Sequence, residues 1–293
     1  MGVGRLLIPF NGPLELDHTL GCGQAFRWSS DGCWHFGTVG SAALKVRLTP
    51  EGLECRSSPP LKAGFIRSYF RLDDDLDAIL AGMTRHFRDK GDRHLKEAVR
   101  RYRGLRLLRQ DPWECLVSYV TSIVSNIPKI TRCIEKMSRR YGTRLELDGR
   151  KTYSFPAPEA LAAAGAHGLK ECELGFRARY ISELAGEVVS RQIDIGALRN
   201  VAYPDARKVL MELMGVGEKV ADCVSLFSLD KLEAFPVDRW VQRVARRLFF
   251  DDRPVSVRKV RDWGMDKYGP YAGYAQEYLF HYIRHMPPEN IIP

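Results

Sequence analysis

A tight turn with two glycines, set between apolar segments of helical period, constrains the fold of this 293-residue chain most strongly. Gly215 and Gly217 bracket Val216 within the segment from Met211 to Asp238. Because glycine has no side chain, the backbone of such a turn can come close to another group. The segment therefore predicts two helices joined by a turn that a ligand or another chain approaches closely.

The second of these helices is predicted over Glu218–Leu229, since Val220, Val224 and Phe227 repeat at helical spacing. The backbone N–H groups at the start of a helix have no partner within the helix, so they can hold a phosphate. A helix-hairpin-helix is therefore predicted at about residues 204–229. Such a hairpin binds DNA through its backbone and does not read the base sequence.

Two side chains within this frame are candidates for catalysis. Lys219 lies in the first turn of the second helix, where the helix dipole disfavours an ammonium and so favours the nucleophilic neutral amine. Asp238 follows nineteen positions later in P-V-D-R-W, at the predicted N-cap of a further helix. Taken alone, Lys219 fits an exposed surface lysine and Asp238 fits a helix cap. Together with the hairpin and the spacing, the pair predicts a catalytic role.

The motif G-V-G-E-K-V-A-D-C followed by P-V-D resembles the helix-hairpin-helix DNA glycosylases, specifically the 8-oxoguanine DNA glycosylase/AP lyase branch. That branch has a lysine after the hairpin, whereas the alkylbase branch keeps the aspartate and lacks the lysine. The resemblance covers nearly the whole chain. It runs from L-G-C-G-Q-A-F-R-W through R-L-L-R-Q-D-P and L-G-F-R-A-R-Y to G-P-Y-A-G-Y-A-Q-E-Y-L-F.

The resemblance implies a bifunctional enzyme that extrudes a damaged nucleotide from duplex DNA into a pocket. Lys219 would attack the sugar C1′ and displace the base, giving an imine that can proceed to strand scission by β-elimination. Asp238 would stabilise the positive charge that develops on the sugar. Two alternatives stay open: an enzyme of the same fold acting on alkylated bases, which Lys219 argues against, and a non-catalytic DNA-binding module.

The resemblance also implies a base pocket built from four residues. The residue matching Gln276 reads the Watson–Crick edge, and those matching Phe280 and Cys223 enclose the base. The carbonyl matching Gly23 accepts the N7 proton that 8-oxoguanine has and guanine lacks. From the residues alone, Gln276 and Phe280 share a helix face, Cys223 fits core packing, and Gly23 fits a simple turn.

Several positions depart from the eukaryotic form of the family. Val124 stands where a run of asparagines begins, and Met214 replaces a hairpin proline. The predicted DNA contacts are Asn126, Phe176 (in place of a wedge tyrosine), Arg177, Gly215, Val216, Gly217 and Trp240 (in place of a phosphate-contacting histidine). Arg177 can still offer donors to an opposite cytosine, but valine offers none. We therefore expect only a modest preference for cytosine opposite the lesion.

Composition bounds the partners and the compartment. The net charge of +9 favours a polyanionic partner, here double-stranded DNA containing 8-oxoguanine. Seven cysteines without C-x-x-C indicate neither a zinc site nor an iron–sulfur cluster, so no metal or other cofactor is expected. They favour a reducing compartment, cytoplasmic in a prokaryote or nuclear in a eukaryote, and not secretion. No apolar run is long enough for a membrane span, and a monomer is expected.

The predicted fold class is α+β. Leu44, Val46 and Leu48 alternate with Lys45 and Arg47, which indicates a half-buried strand in a small antiparallel sheet. Residues 1–107 are predicted to form this N-terminal α+β domain, and residues 108–293 a helical glycosylase domain. The run between residues 85 and 109 holds ten Lys or Arg against three Asp or Glu and indicates a solvated helix face.

Helices are predicted near Ala63–Tyr69 and Asp74–Met83, from Asp111 onward, and over Pro158–Ala164, Ala178–Arg191, Pro204–Met214, Glu218–Leu229, Asp238–Phe249, Ser256–Tyr268 and Tyr271–His285. The helix after Asp111 has a complete start signal, with Asp111 as N-cap, Pro112 in its first position and Glu114 placed to close a capping box.

Overall fold

The computed structural model describes residues 2–85 and 92–286, so part of the predicted basic run, residues 86–91, lies outside the described residues. The architecture is α+β, as predicted: an antiparallel sheet comes first and a mostly helical region follows. The sheet strands are β1 (Gly4–Ile8), β2 (Trp28–Ser30), β3 (His35–Val39), β4 (Ala42–Thr49) and β5 (Gly52–Ser58). They lie in the order β1-β5-β4-β3-β2.

The predicted alternation along β4 holds on one face and fails on the other. Leu44 and Val46 are buried as expected, but Lys45 is buried too. A second sheet, of two strands, explains the burial of Lys45. Asp148, in the turn that joins these two strands, forms an ion pair with Lys45. The Lys45 Nζ atom also lies 4.5 Å from the centre of the Trp34 ring.

This second sheet was missed in the sequence. It comprises β6 (Arg144–Leu147) and β7 (Arg150–Tyr153), joined by Asp148 and Gly149. Both turn residues have positive φ, 49° and 77°. Asp-Gly between two short strands is a strong hairpin signal, because that turn type needs positive φ at both central positions. Arg56 extends the contact, with Nη1 3.4 Å from the Asp148 carboxylate.

The helices are α1 (Leu16–Gly21), α2 (Ala63–Tyr69), α3 (Leu76–Thr84), α4 (Asp92–Arg101), α5 (Pro112–Thr121), α6 (Ile127–Tyr141), α7 (Pro158–Lys170), α8 (Arg177–Ser190), α9 (Tyr203–Met211), α10 (Glu218–Ser228), α11 (Arg239–Phe249), α12 (Val257–Tyr268) and α13 (Ala272–Arg284). Short 3₁₀ helices lie at Ile195–Asn200 and Gly269–Tyr271. α9 ends three residues before the predicted Met214. In α7, Gly165 has φ 62° and interrupts the helix where the prediction stopped.

The start of α5 follows the prediction in part. Asp111 caps the helix by accepting a hydrogen bond from the Glu114 backbone N–H at 2.8 Å. The Glu114 carboxylate does not serve the predicted capping box. It lies beside Arg27 instead, at 3.4 Å. Burial raises the pKa of Glu114 to about 7, and the nearby guanidinium opposes this shift.

Within the described residues the buried apolar side chains form two large clusters and a third of Ala43, Leu145 and Leu147, and the chain crosses between the two large ones near the predicted domain boundary. Leu108 packs with the sheet, whereas Leu105 and Leu107 pack with the helices. Cys22 and Phe26 come from the N-terminal segment but belong to the helical core. Part of the predicted N-terminal domain therefore contributes to the helical core, where the cavity described below is situated.

α10 and α13 meet at Gly273 without room for a side chain. A Cβ atom at Gly273 would clash with Leu226 of α10 and would lie 2.9 Å from the Ala234 carbonyl oxygen. The Gly273 N–H also donates to the Leu232 carbonyl oxygen at 2.8 Å. This glycine therefore allows α13 to pack against Leu226 and against the segment that follows α10.

We expect Gly273→Ala to lower the free energy of unfolding by roughly 1–3 kcal/mol, because overpacking forces backbone shifts. The measurement is chemical denaturation. Gly186→Ala in α8 is the matched control, since a Cβ atom there meets open space. It should raise stability by about 0.5–1 kcal/mol through helix propensity. Equal effects of the two substitutions would show that α10 and α13 can separate freely.

Candidate active site

Lys219 is directed inward, not into solvent as an ordinary surface lysine would be. Its Nζ donates to the Ser122 Oγ at 2.9 Å and lies 4.7 Å from the centre of the Tyr119 ring. The Ser122 hydroxyl donates its own proton to the Tyr119 carbonyl oxygen at 2.6 Å. Ser122 can therefore only accept from Lys219, and the C-terminal end of α5 fixes the position of the amine.

Asp238 is the N-cap of α11, as predicted, and it also lines the cavity that Lys219 enters. Its carboxylate accepts from the Val241 backbone N–H at 2.7 Å. Each carboxylate oxygen has further lone pairs, so this cap leaves Asp238 able to interact with a positive charge in the cavity. The two predicted catalytic residues thus face one space from two different helices.

That space has a volume of about 430 Å³, within the range of small-molecule pockets. It collects most of the residues predicted from the sequence. Those lining it are Gly23, Asn126, Lys219, Cys223, Asp238, Trp240, Gln276 and Phe280. Phe176, Arg177 and the hairpin residues 215–217 do not line it.

Cys223 and Phe280, the residues predicted to enclose the base, line the cavity from two different helices. Cys223 is buried on α10, and burial raises the pKa of its thiol to about 12, with Lys219 opposing the shift. The thiol is therefore neutral at physiological pH. Phe280 on α13 is half-buried, with the Trp240 ring packed edge-on at 5.2 Å between ring centres.

Gln276 and Gly23 also line the cavity. Gln276 is only 6% exposed, and its Oε1 has no hydrogen-bond partner. Gly23 has φ 106°, and a Cβ atom there would lie 2.8 Å from the Ile127 Cδ1 and 3.1 Å from the Arg284 Nη1. The positive φ therefore favours glycine at this position, whereas the two neighbouring atoms are the ends of flexible side chains.

The hairpin outside the cavity is open to an approaching backbone. Gly217 is the N-cap of α10, and no atom lies within 4 Å of its would-be Cβ. Gly215 has φ 77° and packs against Tyr180, whose Cβ would lie 3.0 Å from an added Cβ. Val216 is buried, so only its backbone can serve the predicted DNA contact.

Asp222, which the sequence analysis did not single out, braces this hairpin. It is buried, and its carboxylate accepts from the Tyr203 hydroxyl and the Arg207 Nε, both at 2.7 Å. Arg207 also pairs with Glu218 at 3.2 Å. An aspartate among the apolar residues of α10 is the signal that marks it, because a buried charge needs partners.

The Arg177 side chain is buried in this structure, which differs from the expectation. It was expected to offer donors to the opposite base, but it is only 4% exposed in this structure. Its guanidinium donates to the carbonyl oxygens of Ile123 and Val124 at 2.5 Å each, and to that of Leu174 at 3.2 Å. Arg177 therefore holds the loop after α5 in place.

This loop displays an exposed apolar side chain under backbone strain. Val124 is 84% exposed and has φ 49°, a region that β-branched residues rarely adopt. Phe176 is 52% exposed, with its ring centre 4.6 Å from the Arg177 guanidinium carbon. One buried arginine thus supports two exposed apolar side chains.

Asn126 has a structural role in the free protein. It is the N-cap of α6 and accepts from the Lys129 backbone N–H at 3.0 Å. Ser122 and Tyr119, which hold Lys219, were not identified from the sequence. They lie 97 and 100 positions before the lysine, and no local pattern links them to it.

Similarity to known protein families extends along most of the chain. The model of the 8-oxoguanine DNA glycosylase N-terminal domain matches residues 7–116. The model of the HhH-GPD superfamily of base excision DNA repair proteins matches residues 117–265. The chain is 31% identical to "N-glycosylase/DNA lyase OGG1" of Arabidopsis thaliana, covering 96% of this chain and 81% of that protein.

The chain belongs to the 8-oxoguanine DNA glycosylase family. A probable N-glycosylase/DNA lyase of Methanothermobacter thermautotrophicus is 34% identical over 66% of this chain and 68% of that protein. The Clostridium acetobutylicum 8-oxoguanine glycosylase/lyase, solved with double-stranded DNA containing cytosine opposite 8-oxoG, superposes with a TM-score of 0.85. It is 33% identical, over 96% of this chain and 94% of that one. The predicted family and enzyme class, N-glycosylase/DNA lyase, are thereby confirmed.

Within residues 2–85 and 92–286, none of the helices combines the length and the apolar character that a membrane span requires. In the same part of the chain, no group of three or more His, Cys, Asp or Glu side chains is placed to hold a metal ion.

Proposed function

We propose that this enzyme excises 8-oxoguanine from duplex DNA and then cleaves the strand at the resulting site, with Lys219 as nucleophile. The observation that carries the proposal is a lysine directed into a base-sized cavity that Asp238 also lines. A surface lysine would not be held there by the half-buried Ser122 hydroxyl. The cavity belongs to the free protein, so little rearrangement is needed to receive a flipped nucleotide.

The reaction starts from the neutral amine of Lys219. Its lone pair forms a bond to the sugar C1′ as the bond to the base breaks, and the base leaves with the electron pair and takes up a proton. The amine nitrogen then forms a second bond to C1′ as the C1′–O4′ bond breaks; the nitrogen loses a proton, O4′ takes one up, and the ring-opened imine results. Removal of a C2′ proton then expels the 3′ phosphate by β-elimination. The electrons end in the conjugated imine, so no external oxidant or reductant is needed.

Asp238 acts when the sugar becomes cationic. Its carboxylate is fixed by the Val241 N–H, so it is oriented before the charge forms. Such preorganised groups contribute most when positive charge develops in a cavity from which water is excluded. We assign Asp238 this electrostatic role in addition to its capping role.

Recognition of the oxidised base follows from acceptors placed around the cavity. We propose that the Gly23 carbonyl accepts a hydrogen bond from the N7–H of 8-oxoguanine, since Gly23 lines the cavity in a backbone conformation that favours glycine. Gln276 would accept from the Watson–Crick edge through its unpaired Oε1. Guanine presents an acceptor at N7, so the same carbonyl would be left unpaired, at a cost of about 1–3 kcal/mol.

The structure favours this reading over both alternatives. An enzyme for alkylated bases has no use for an amine held in the cavity, whereas Lys219 is positioned by two residues of α5. A non-catalytic DNA-binding module needs only the hairpin and would gain nothing from buried, unpaired polar atoms in a cavity.

We further propose that the base opposite the lesion is checked only loosely. Arg177 is engaged with backbone carbonyls, and Val124 offers neither donor nor acceptor. Losing one partner contact removes about 1–2 kcal/mol of discrimination, which is roughly a factor of five to thirty.

We expect Lys219→Gln to abolish borohydride trapping on an 8-oxoguanine duplex and to slow base release roughly a thousandfold or more. Duplex affinity should change little, because the hairpin grips phosphates through its backbone. Lys170→Gln, an exposed lysine on α7, is the control and should trap normally. Trapping by the Lys219→Gln protein at the wild-type level would remove the nucleophile assignment.

Asp238→Asn should slow single-turnover excision by about a hundredfold or more, since the charge acts mainly in the transition state. Asparagine is also a good N-cap, so the melting temperature should change little. Asp238→Ala is the comparison: it loses both roles and should also lose about 1 kcal/mol of stability. An Asn variant with the wild-type rate would show that Asp238 is only a cap.

Val124→Asn should raise the free energy of unfolding by about 1 kcal/mol, because asparagine tolerates positive φ better than valine. It should also sharpen the preference for cytosine in excision from four duplexes that differ only in the opposite base. The wild type should prefer cytosine by less than about thirtyfold. A wild-type preference of a hundredfold would contradict the loose check.

A further inference from the structure

A second unpaired acceptor, Glu277, lies beside Gln276 in the wall of the cavity. Its side chain is 3% exposed, and Glu277 lines the same space as Lys219 and Asp238. Its Oε1 is fully buried and has no hydrogen-bond partner. Neither the mechanism above nor the resemblance to the family gives this residue a task.

The surroundings do not satisfy this carboxyl group. The Cys22 thiol lies within hydrogen-bonding reach of Glu277. A thiol has one proton, however, and Cys22 also has the Thr19 carbonyl oxygen at 3.5 Å. Burial of an unsatisfied carboxyl oxygen is unfavourable, so such a group marks a place where a partner arrives with the ligand.

The charged and titratable groups around Glu277 come from four elements. Cys22 follows α1, Tyr119 belongs to α5, Cys223 belongs to α10, and Arg284 lies two turns further along α13. Burial raises the pKa of Glu277 to about 7, while Arg284 opposes that shift. The two cysteines and Tyr119 have pKa values raised by burial, so they stay neutral at pH 7.

The chemistry of two unpaired acceptors whose residues line one cavity selects a particular edge of a base. Gln276 Oε1 and Glu277 Oε1 both require N–H donors. The Watson–Crick edge of guanine and of 8-oxoguanine presents two neighbouring donors, N1–H and the exocyclic N2 amino group. Adenine presents an acceptor at N1 and no amino group at C2.

We infer that Glu277 is a specificity-determining residue that accepts a hydrogen bond from the exocyclic amino group of the flipped base, while Gln276 reads the neighbouring positions. This rests on the proposed function, because it takes the cavity to be the site of the flipped base. The consequence is that excision depends on the amino group as well as on oxidation at C8.

The test compares 8-oxoguanine with 8-oxohypoxanthine, which lacks only the amino group, in duplexes opposite cytosine. The readout is the ratio of single-turnover excision rates. The weaker pairing of 8-oxohypoxanthine affects extrusion equally in every variant, so the ratio is compared between variants. Glu277→Met should lower 8-oxoguanine excision about tenfold and leave 8-oxohypoxanthine excision unchanged, as loss of one charge-assisted hydrogen bond predicts.

Glu277→Gln keeps an acceptor oxygen of similar shape, so it should retain most of the wild-type ratio at pH 8. A carboxylate accepts more strongly than a carboxylic acid, so the wild-type ratio should rise as the pH passes through about 7. In the Gln variant the ratio should not change with pH. Glu114→Gln is the matched control: it removes a carboxyl whose pKa burial also raises to about 7, outside this cavity. It should leave the ratio and its pH dependence unchanged.

The outcomes separate this inference from the proposed function. A wild-type protein that does not excise 8-oxoguanine overturns the proposed function. An active wild type whose ratio is unchanged in Glu277→Met overturns only the role of Glu277. An equal loss on both substrates, with a lower melting temperature, makes Glu277 a structural residue and overturns the role as well. A pH-dependent ratio in Glu277→Gln assigns the titration to another group.

Discussion

The packing of Gly273 in α13 against Leu226 in α10 joins two of the helices that line the site. α10 contributes Lys219 and Cys223 to the lining of the cavity, and α13 contributes Gln276 and Phe280. Because no side chain fits at Gly273, this contact limits how the two helices can be placed. Under the proposed function, a base would lie between the Cys223 thiol and the Phe280 ring, so its binding would depend on that placement. The proposed chemistry would therefore depend on a contact that touches no substrate.

The cavity between these helices is costly to maintain. It holds two unpaired acceptors, Gln276 Oε1 and Glu277 Oε1. It also holds Lys219, whose Nζ donates a hydrogen bond to one side-chain hydroxyl, that of Ser122. Each unsatisfied buried group lowers stability by about 1–3 kcal/mol. The apolar core around them, which runs from Cys22 to Ile283, has to supply that stability. Under the proposed function, these groups would find their partners when a base enters, which would be the physical reason for tolerating them.

Features that depend on residues close together in the chain could be predicted from the sequence. The glycine turn, the start of α10 and the cap at Asp238 all depend on neighbouring residues, and the structure has them where they were expected. The hairpin at Asp148 also has a local signal, which was overlooked. Contacts between distant segments could not be found this way. Ser122 accepts a hydrogen bond from Lys219, 97 positions further along the chain. Arg177 is turned inward because backbone carbonyl oxygens some 53 positions away accept hydrogen bonds from its guanidinium. Periodicity carries no information about either pairing.

The inward turn of Arg177 changes how the opposite strand can be recognised. A guanidinium that already donates to Ile123, Val124 and Leu174 loses those bonds if it turns toward DNA, so its net gain there is small. The Arg177 guanidinium instead supports the strained loop that carries Val124. Phe176 is exposed beside the same guanidinium. Apolar side chains fill space and stack but do not distinguish donors from acceptors. Recognition of the gap left by a flipped nucleotide would then rest on shape. Under the proposed function, the hydrogen bonds that decide specificity would be concentrated on the damaged base, in the cavity that α10 and α13 line.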